Sequence, residues 1–222
     1  MADSLILAVT GLKREAGIFR AAAVRALAGG GDAVRLEAEI EAIAPKAVGV
    51  ISVGLGGALV PGLAPGDWVV ASQVGEFETD SDWTKRLLAA LPGARLGPIA
   101  GSDVMVVDAV AKAALHASTG ALAVDMESHI AARVAASHGL PFAAARTISD
   151  GADRALPRAA QAGMRPDGGM DVVAVLAKLA KRPWELPALI RTGVEAETAF
   201  RALFRGRQLL GPALMGPGAD LG

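Results

Sequence analysis

The chain has 222 residues, 52% hydrophobic and 20% charged, a length and composition that suit one α/β domain with a large core. Lysine and arginine number 22 against 23 aspartates and glutamates, a net charge of −1, which leaves no electrostatic footprint for nucleic acid. Cysteine is absent, so disulfides, thiolate metal sites and cysteine nucleophiles are excluded, and a reducing compartment fits.

Leu5 to Thr10 reads as a buried strand, continuous and apolar as parallel strands are. It is too short, with nothing basic before it, to be a secretory leader. Gly11 turns the chain and Lys13-Arg14-Glu15 begins a helix-like stretch, so Glu15 lies just past the C-terminal end of a strand. Ligands bind at that edge in open α/β sheets, although a first-turn glutamate favoured by the helix dipole has the same position. Gly29 to Asp32 is a turn, and Leu36, Ile40 and Ile43 mark one face of a helix over 35–44. The longest uncharged run, Ala47 to Gly66, is long enough to span a membrane but holds six glycines and two prolines. It reads as a buried strand, Val48 to Val53, followed by loops.

The cluster Gly54-Leu55-Gly56-Gly57-Ala58-Leu59 is not a dinucleotide fingerprint: Leu59 stands where the third glycine belongs, and Pro61 and Pro65 leave no room for the receiving helix. Its glycines serve either close approach of backbone N–H groups to a small ligand or anion, or a tight turn with positive φ. Pro65-Gly66-Asp67 turns into a strand over Trp68 to Val74. The acidic segment 75–84 reads as a solvated loop, with a mobile cover over a pocket as the alternative. A helix over Trp83 to Leu91, a strand over Leu96 to Ala100, a helix over Val110 to Ala117 and a strand over Ala121 to Val124 follow. Met126, Ile130 and Val134 pattern a helix ended by Gly139 and Pro141, and Phe142 to Ile148 is the next strand. The loop Ser149 to Asp153 leads to a helix over Met170 to Ala180 and a last helical stretch over Thr192 to Leu210, broken or ended at Gly206. From Gly211 the tail is expected to fray. Alternating strands and helices imply a largely parallel, three-layer α/β fold.

Carboxylates end two consecutive strand-like runs, at Val124-Asp125-Met126-Glu127-Ser128 and at Arg146-Thr147-Ile148-Ser149-Asp150. Asp125 could be an N-cap with Glu127 in the first helical turn, and Asp150 a turn residue. With Glu15, however, three carboxylates fall on the presumed ligand edge, which points to a pocket. These motifs, with Gly11-Leu12-Lys13-Arg14-Glu15, Val53-Gly54-Leu55-Gly56-Gly57 and Pro65-Gly66-Asp67, resemble the signature of the nucleoside phosphorylase and nucleosidase superfamily over residues 3 to 153. Ala8 to Leu12, Gly29 to Asp32 and Ile51 to Leu59 are most similar to hopanoid-associated phosphorylases, also described as adenosylhopane nucleosidases.

The resemblance implies a single three-layer αβα domain over 1–222 around a mixed, largely parallel sheet, with its core at about 3–182. It implies cleavage of a purine N-glycosidic bond: release of adenine from adenosylhopane in hopanoid biosynthesis, or from methylthioadenosine or S-adenosylhomocysteine. A nucleoside-binding protein without turnover is the reading from another class. By the match, Asp150 is the acid that protonates the departing purine, which calls for a carboxyl raised by burial, and Ser149 orients it. Glu127 accepts hydrogen bonds from the ribose hydroxyls and its charge favours the cation-like sugar. Met126 packs on the sugar and Met105 on the purine face, while Asp125, shorter than the residue usual there, is scaffold. Glu15 activates water if the enzyme is a nucleosidase. Phosphate as co-substrate would depend on backbone N–H groups near Gly54 and Gly56 and on charge from Arg14 or Arg146, the latter equally readable as an ion-pair partner.

No cofactor or metal cluster is expected, and His116, His129 and His138 are read as surface or capping residues. Phe200, Leu203 and Phe204 with Arg201, Arg205 and Arg207 make a basic amphipathic stripe. Packing on its own domain is the favoured reading, and contact with a membrane surface the other. The partners expected are a nucleoside, lipid-linked in the hopane case, and further copies of the chain, at least a dimer. The location expected is cytoplasmic, or peripheral to the inner membrane.

Overall fold

In a computed structural model, which describes residues 5–161, 163, 165, 167–169 and 171–217, the apolar runs become strands of one sheet. The strands are β1 (Leu5–Thr10), β2 (Val24–Ala28), β3 (Ala47–Ala58), β4 (Trp68–Val74), β5 (Phe77–Glu78), β6 (Arg95–Gly101), β7 (Ala123–Asp125) and β8 (Phe142–Asp150). The α-helices are α1 (Lys13–Phe19), α2 (Ala33–Ile43), α3 (Ser81–Ala90), α4 (Ala109–Thr119), α5 (Ser128–Ser137), α6 (Arg158–Gln161), α7 (Val172–Lys181) and α8 (Leu186–Leu209).

Parallel pairing runs β2–β1–β3–β8. β8 then pairs antiparallel with β4, β4 parallel with β6, and β6 parallel with β7. β7 returns antiparallel to β3 at Gly57 and Ala58. Strands β3, β8, β4, β6 and β7 therefore close a ring, and β1 and β2 extend from it as an open wing. Side chains alternate across the sheet as the period of two requires. Leu7, Val9 and Val50 face α2 and α5 through Leu36, Ile40, Ile130 and Val134. Ile6, Ala8, Ile51 and Val53 share the opposite core with Phe19 of α1, Trp83 and Leu87 of α3, and Phe200 and Leu203 of α8. This is the expected α/β fold with a central mixed sheet and helices on both faces.

Five segments differ from the sequence reading. β2 was not foreseen: Ala21 to Ala28 is alanine-rich and favours helix locally, but its pairing with β1 makes it a strand. β3 continues through Gly54, Gly56 and Gly57 to Ala58 with none of these glycines at positive φ, which removes the tight-turn reading. The acidic segment 75–84 holds β5 and the start of α3, whose first turn is capped by Asp80 accepting from Trp83 N at 2.7 Å. The last helix starts at Leu186 and passes Gly206 unbroken, and the glycine there makes room for Trp68: a Cβ would be 2.3 Å from Trp68 Cζ2. The tail is docked rather than frayed as far as residue 217. Leu214 is fully buried, Trp83 Nε1 donates to its carbonyl at 2.8 Å, and Arg86 Nε donates to the Met215 carbonyl at 2.7 Å. Residues 218–222, and Met170 at the expected start of α7, lie outside the described residues. Among the described residues no helix is long and apolar enough to cross a membrane.

Candidate active site

Because β1, β3 and β8 run parallel, their C-terminal ends share one edge of the sheet, and β7 delivers Asp125 beside them. A cavity of about 220 Å³ opens there. Glu15, Glu127, Asp150, Met126, Met105, Ser149 and Gly56 all line it. Gly54 does not line it. Its hydrogen faces Glu15, whose Oε2 would be 2.5 Å from a Cβ at that position.

Glu15 is 1% exposed in the first turn of α1. Its Oε2 accepts from the backbone N–H of Gly11 (2.8 Å) and Leu12 (3.2 Å), and its Oε1 from that of Leu55 (3.3 Å). Burial raises its pKa above the ordinary value, against the opposing pull of Arg146 and these three donors. Glu127 is also buried, and Gly29 makes room for it: a Cβ there would stand 2.8 Å from Glu127 Cγ. Loss of solvent, then the charges of Asp125 and Glu15 against the pull of Arg146, push Glu127 up to about 8.

Asp125 shifts the opposite way to Glu15 and Glu127. Burial alone would raise it, but Arg146 and donors from Ser128 outweigh that and hold it below its usual value. Its Oδ1 accepts from Glu127 N at 2.8 Å and Ser128 N at 2.6 Å, closing the start of α5, and its Oδ2 lies 2.9 Å from Arg146 Nε. Arg146 is 1% exposed and also donates to Ser52 Oγ at 2.6 Å. Its position is that of an internal ion-pair partner, behind the cavity rather than in it. Arg14 points the other way: it pairs with Glu197 at 2.8 Å and stacks over Phe200, 3.9 Å from the ring centre.

Asp150 closes β8. Its Oδ1 accepts from Ser149 Oγ at 2.6 Å. Its Oδ2 accepts from Nζ of Lys112, a fully buried residue of α4 that the sequence reading did not single out. A lysine on a surface helix ordinarily reads as solvated. The one hint was its place inside the apolar run Ala109 to Leu115. The histidines fall outside the cavity: His116 Nδ1 meets the Ala121 carbonyl at 2.8 Å, His129 pairs with Asp103 and His138 with Glu41. Among the described residues no group of three or more His, Cys, Asp or Glu is placed to hold a metal.

The C-terminal edge of the sheet thus gathers buried carboxylates around a small cavity, with Met105 and Met126 on its walls. The chain belongs to the phosphorylase superfamily, whose sequence pattern matches residues 20–183. No curated protein sequence matches it. Its fold is similar to 5′-methylthioadenosine/S-adenosylhomocysteine nucleosidase from Helicobacter pylori with butyl-thio-DADMe-Immucillin-A (17% identity, 93% of this chain and 96% of that one, TM-score 0.65). It is similar also to the Streptococcus pneumoniae nucleosidase with a transition-state inhibitor (17%, 90% and 98%, TM-score 0.59) and to a futalosine hydrolase mutant of H. pylori (18%, 65% and 89%, TM-score 0.54).

Proposed function

We propose that the protein hydrolyses the N-glycosidic bond of a 5′-substituted adenosine and releases adenine, with adenosylhopane as its leading substrate. The observation that carries the choice of water over phosphate is the seat of Glu15. Phosphate would need free donors and positive charge. The N–H groups of Gly11, Leu12 and Leu55 are instead engaged by a carboxylate. No lysine, arginine or histidine is among the described residues lining the cavity. A carboxylate in that position repels phosphate and can take a proton from water. Its raised pKa brings it closer to neutral pH, where a general base is effective.

The other roles follow the cavity walls. Glu127, once ionised, accepts from the ribose hydroxyls and faces the positive charge that develops on the sugar. Asp150, held by Ser149, protonates the purine as the bond breaks. Met126 packs on the sugar and Met105 on the base. Glu15 lies on Gly54 and Asp150 on Gly57, with a Cβ at Gly57 falling 3.2 Å from Asp150 Oδ2. The two carboxyls thus abut strand positions about 10 Å apart, room for a ribosyl group between base catalyst and acid.

Leu12, Val106, Leu156 and Ala196 give the cavity further apolar wall, which supports an apolar 5′ substituent. The motif resemblance favours adenosylhopane, and the shared fold favours methylthioadenosine or S-adenosylhomocysteine as the second reading. Adenine release measured across adenosine, methylthioadenosine, S-adenosylhomocysteine and adenosylhopane tests this. The highest kcat/KM is expected for adenosylhopane; a preference for unsubstituted adenosine would overturn the substrate class, and no release from any would overturn the activity.

A further inference from the structure

Lys112 is the one fully buried residue of α4, and its side chain is completely enclosed. Its Nζ donates to Asp150 Oδ2, to the Gly151 carbonyl at 2.8 Å and to the Arg154 carbonyl at 3.2 Å. It does not line the cavity. Burying an ammonium costs several kcal/mol, and a buried ion pair is commonly no more stabilising than apolar residues of the same volume. Stability therefore does not explain a lysine here.

Nor does Asp150, as the structure holds it, explain the acid. Its Oδ2 accepts from the Lys112 ammonium and its Oδ1 from the Ser149 hydroxyl, so both oxygens already act as acceptors and the proton donor nearest to them is Lys112. A purine leaving as an anion needs one.

We propose that Lys112 is a positioning residue that supplies this proton through Asp150, so that the acid of the reaction is the Lys112–Asp150 pair. This rests on the reading of the site as a nucleosidase with Asp150 facing the base. An N–H bond of the Lys112 ammonium breaks and its proton passes to the Asp150 carboxylate. The carboxyl group delivers a proton to the ring nitrogen of the base as the C1′–N bond breaks and its electron pair goes to the base. Water forms the new C1′–O bond and loses its proton to Glu15. The site is left with neutral Lys112, ionised Asp150 and protonated Glu15, and solvent returns the Glu15 proton to Lys112 after product leaves. The carbonyls of Gly151 and Arg154 keep Nζ in place while its charge is lost.

The test compares Lys112→Arg, Lys112→Ala and Asp150→Asn on an adenosyl substrate and on 4-nitrophenyl riboside, whose leaving group departs without protonation. All three are expected to lose about 10²-fold or more in kcat for adenine release, and the two Lys112 variants, whose side chain lies outside the cavity, to keep nitrophenol release within a few-fold of wild type, which also reports that they fold. Added ethylamine is expected to restore part of the Lys112→Ala rate on the adenosyl substrate. Wild-type adenine release by Lys112→Arg, or no amine rescue of Lys112→Ala, would overturn the proposal. If Asp150→Asn releases adenine at the wild-type rate, the acid assignment itself fails. If the wild-type enzyme releases none, the nucleosidase reading fails.

Discussion

Glu127 is the residue for which the site opposes the fold, and Glu127→Gln measures by how much. Its carboxyl has an ordinary value of 4.5 and stands at about 8 in the folded protein. Below pH 4.5 both folded and unfolded forms are protonated and the group contributes nothing. Between 4.5 and 8 the unfolded chain gives up the proton and the folded chain keeps it, so ionisation favours unfolding more as pH rises, levelling off above 8. At about 1.4 kcal/mol per unit the full penalty is of the order of 5 kcal/mol. Asp125 and Glu15 produce part of it and relax when the charge is removed. The glutamine variant is therefore expected to gain about 2–5 kcal/mol at pH 9, a rise in Tm of roughly 5–15 °C, and less than about 1 kcal/mol at pH 5. Thermal and urea unfolding at pH 5, 7 and 9 check this. Any fixed cost of exchanging a carboxyl for an amide cancels in the difference between pH values. A gap that does not widen from pH 5 to 9 would refute the reasoning, and turnover is expected to be lost whatever the stability.

The same group makes ligand binding pH-dependent. Ribose hydroxyls donate to an ionised Glu127, so the Kd of an uncleavable adenosine analogue is expected to tighten about tenfold per unit from pH 6 to 7.5 and to level off above 8. Calorimetry in buffers of different ionisation enthalpy should show a proton released on binding at pH 7, and a pH-independent Kd would contradict it. Gly54→Ser places a Cβ 2.5 Å from Glu15 Oε2, displacing the carboxylate from its Leu55 donor. A fall in kcat of about 10²-fold with an unchanged melting temperature is expected; unchanged kcat would detach Glu15 from catalysis. Deleting residues 211–222 removes the Leu214 contacts and the Trp83–Leu214 hydrogen bond and should cost about 2–4 kcal/mol in urea unfolding. A truncated chain as stable as the whole would mean the docked tail adds nothing.

The order of strands and helices was legible because buried parallel strands write themselves as continuous apolar runs, as in Leu5 to Thr10 and Phe142 to Ile148. β2 was not, because its alanines favour helix locally and only pairing with β1 makes them a strand. The carboxylates were legible by position: strand ends are where an α/β sheet presents chemistry, and Glu15, Glu127 and Asp150 each follow or end a strand. What surrounds them was not. The glycines of β3 looked like a turn or an anion loop, and their actual use, leaving room for Glu15 and Asp150, depends on side chains 39 and 93 positions away from Gly54 and Gly57. Arg146 could be read as substrate cation or internal partner, and only its distances to Asp125 and Ser52 place it behind the cavity. Lys112 was hidden for the same reason, since nothing local to α4 records that β8 ends beside it.

Adenine release in ¹⁸O-labelled water, with and without phosphate, tests the central claim most directly. The predicted result is an unchanged rate when phosphate is omitted and one ¹⁸O at C1′ of the ribosyl product. Release that requires phosphate, with a 1-phosphorylated sugar as product, would contradict the assignment of Glu15 and with it the hydrolytic reading of the site.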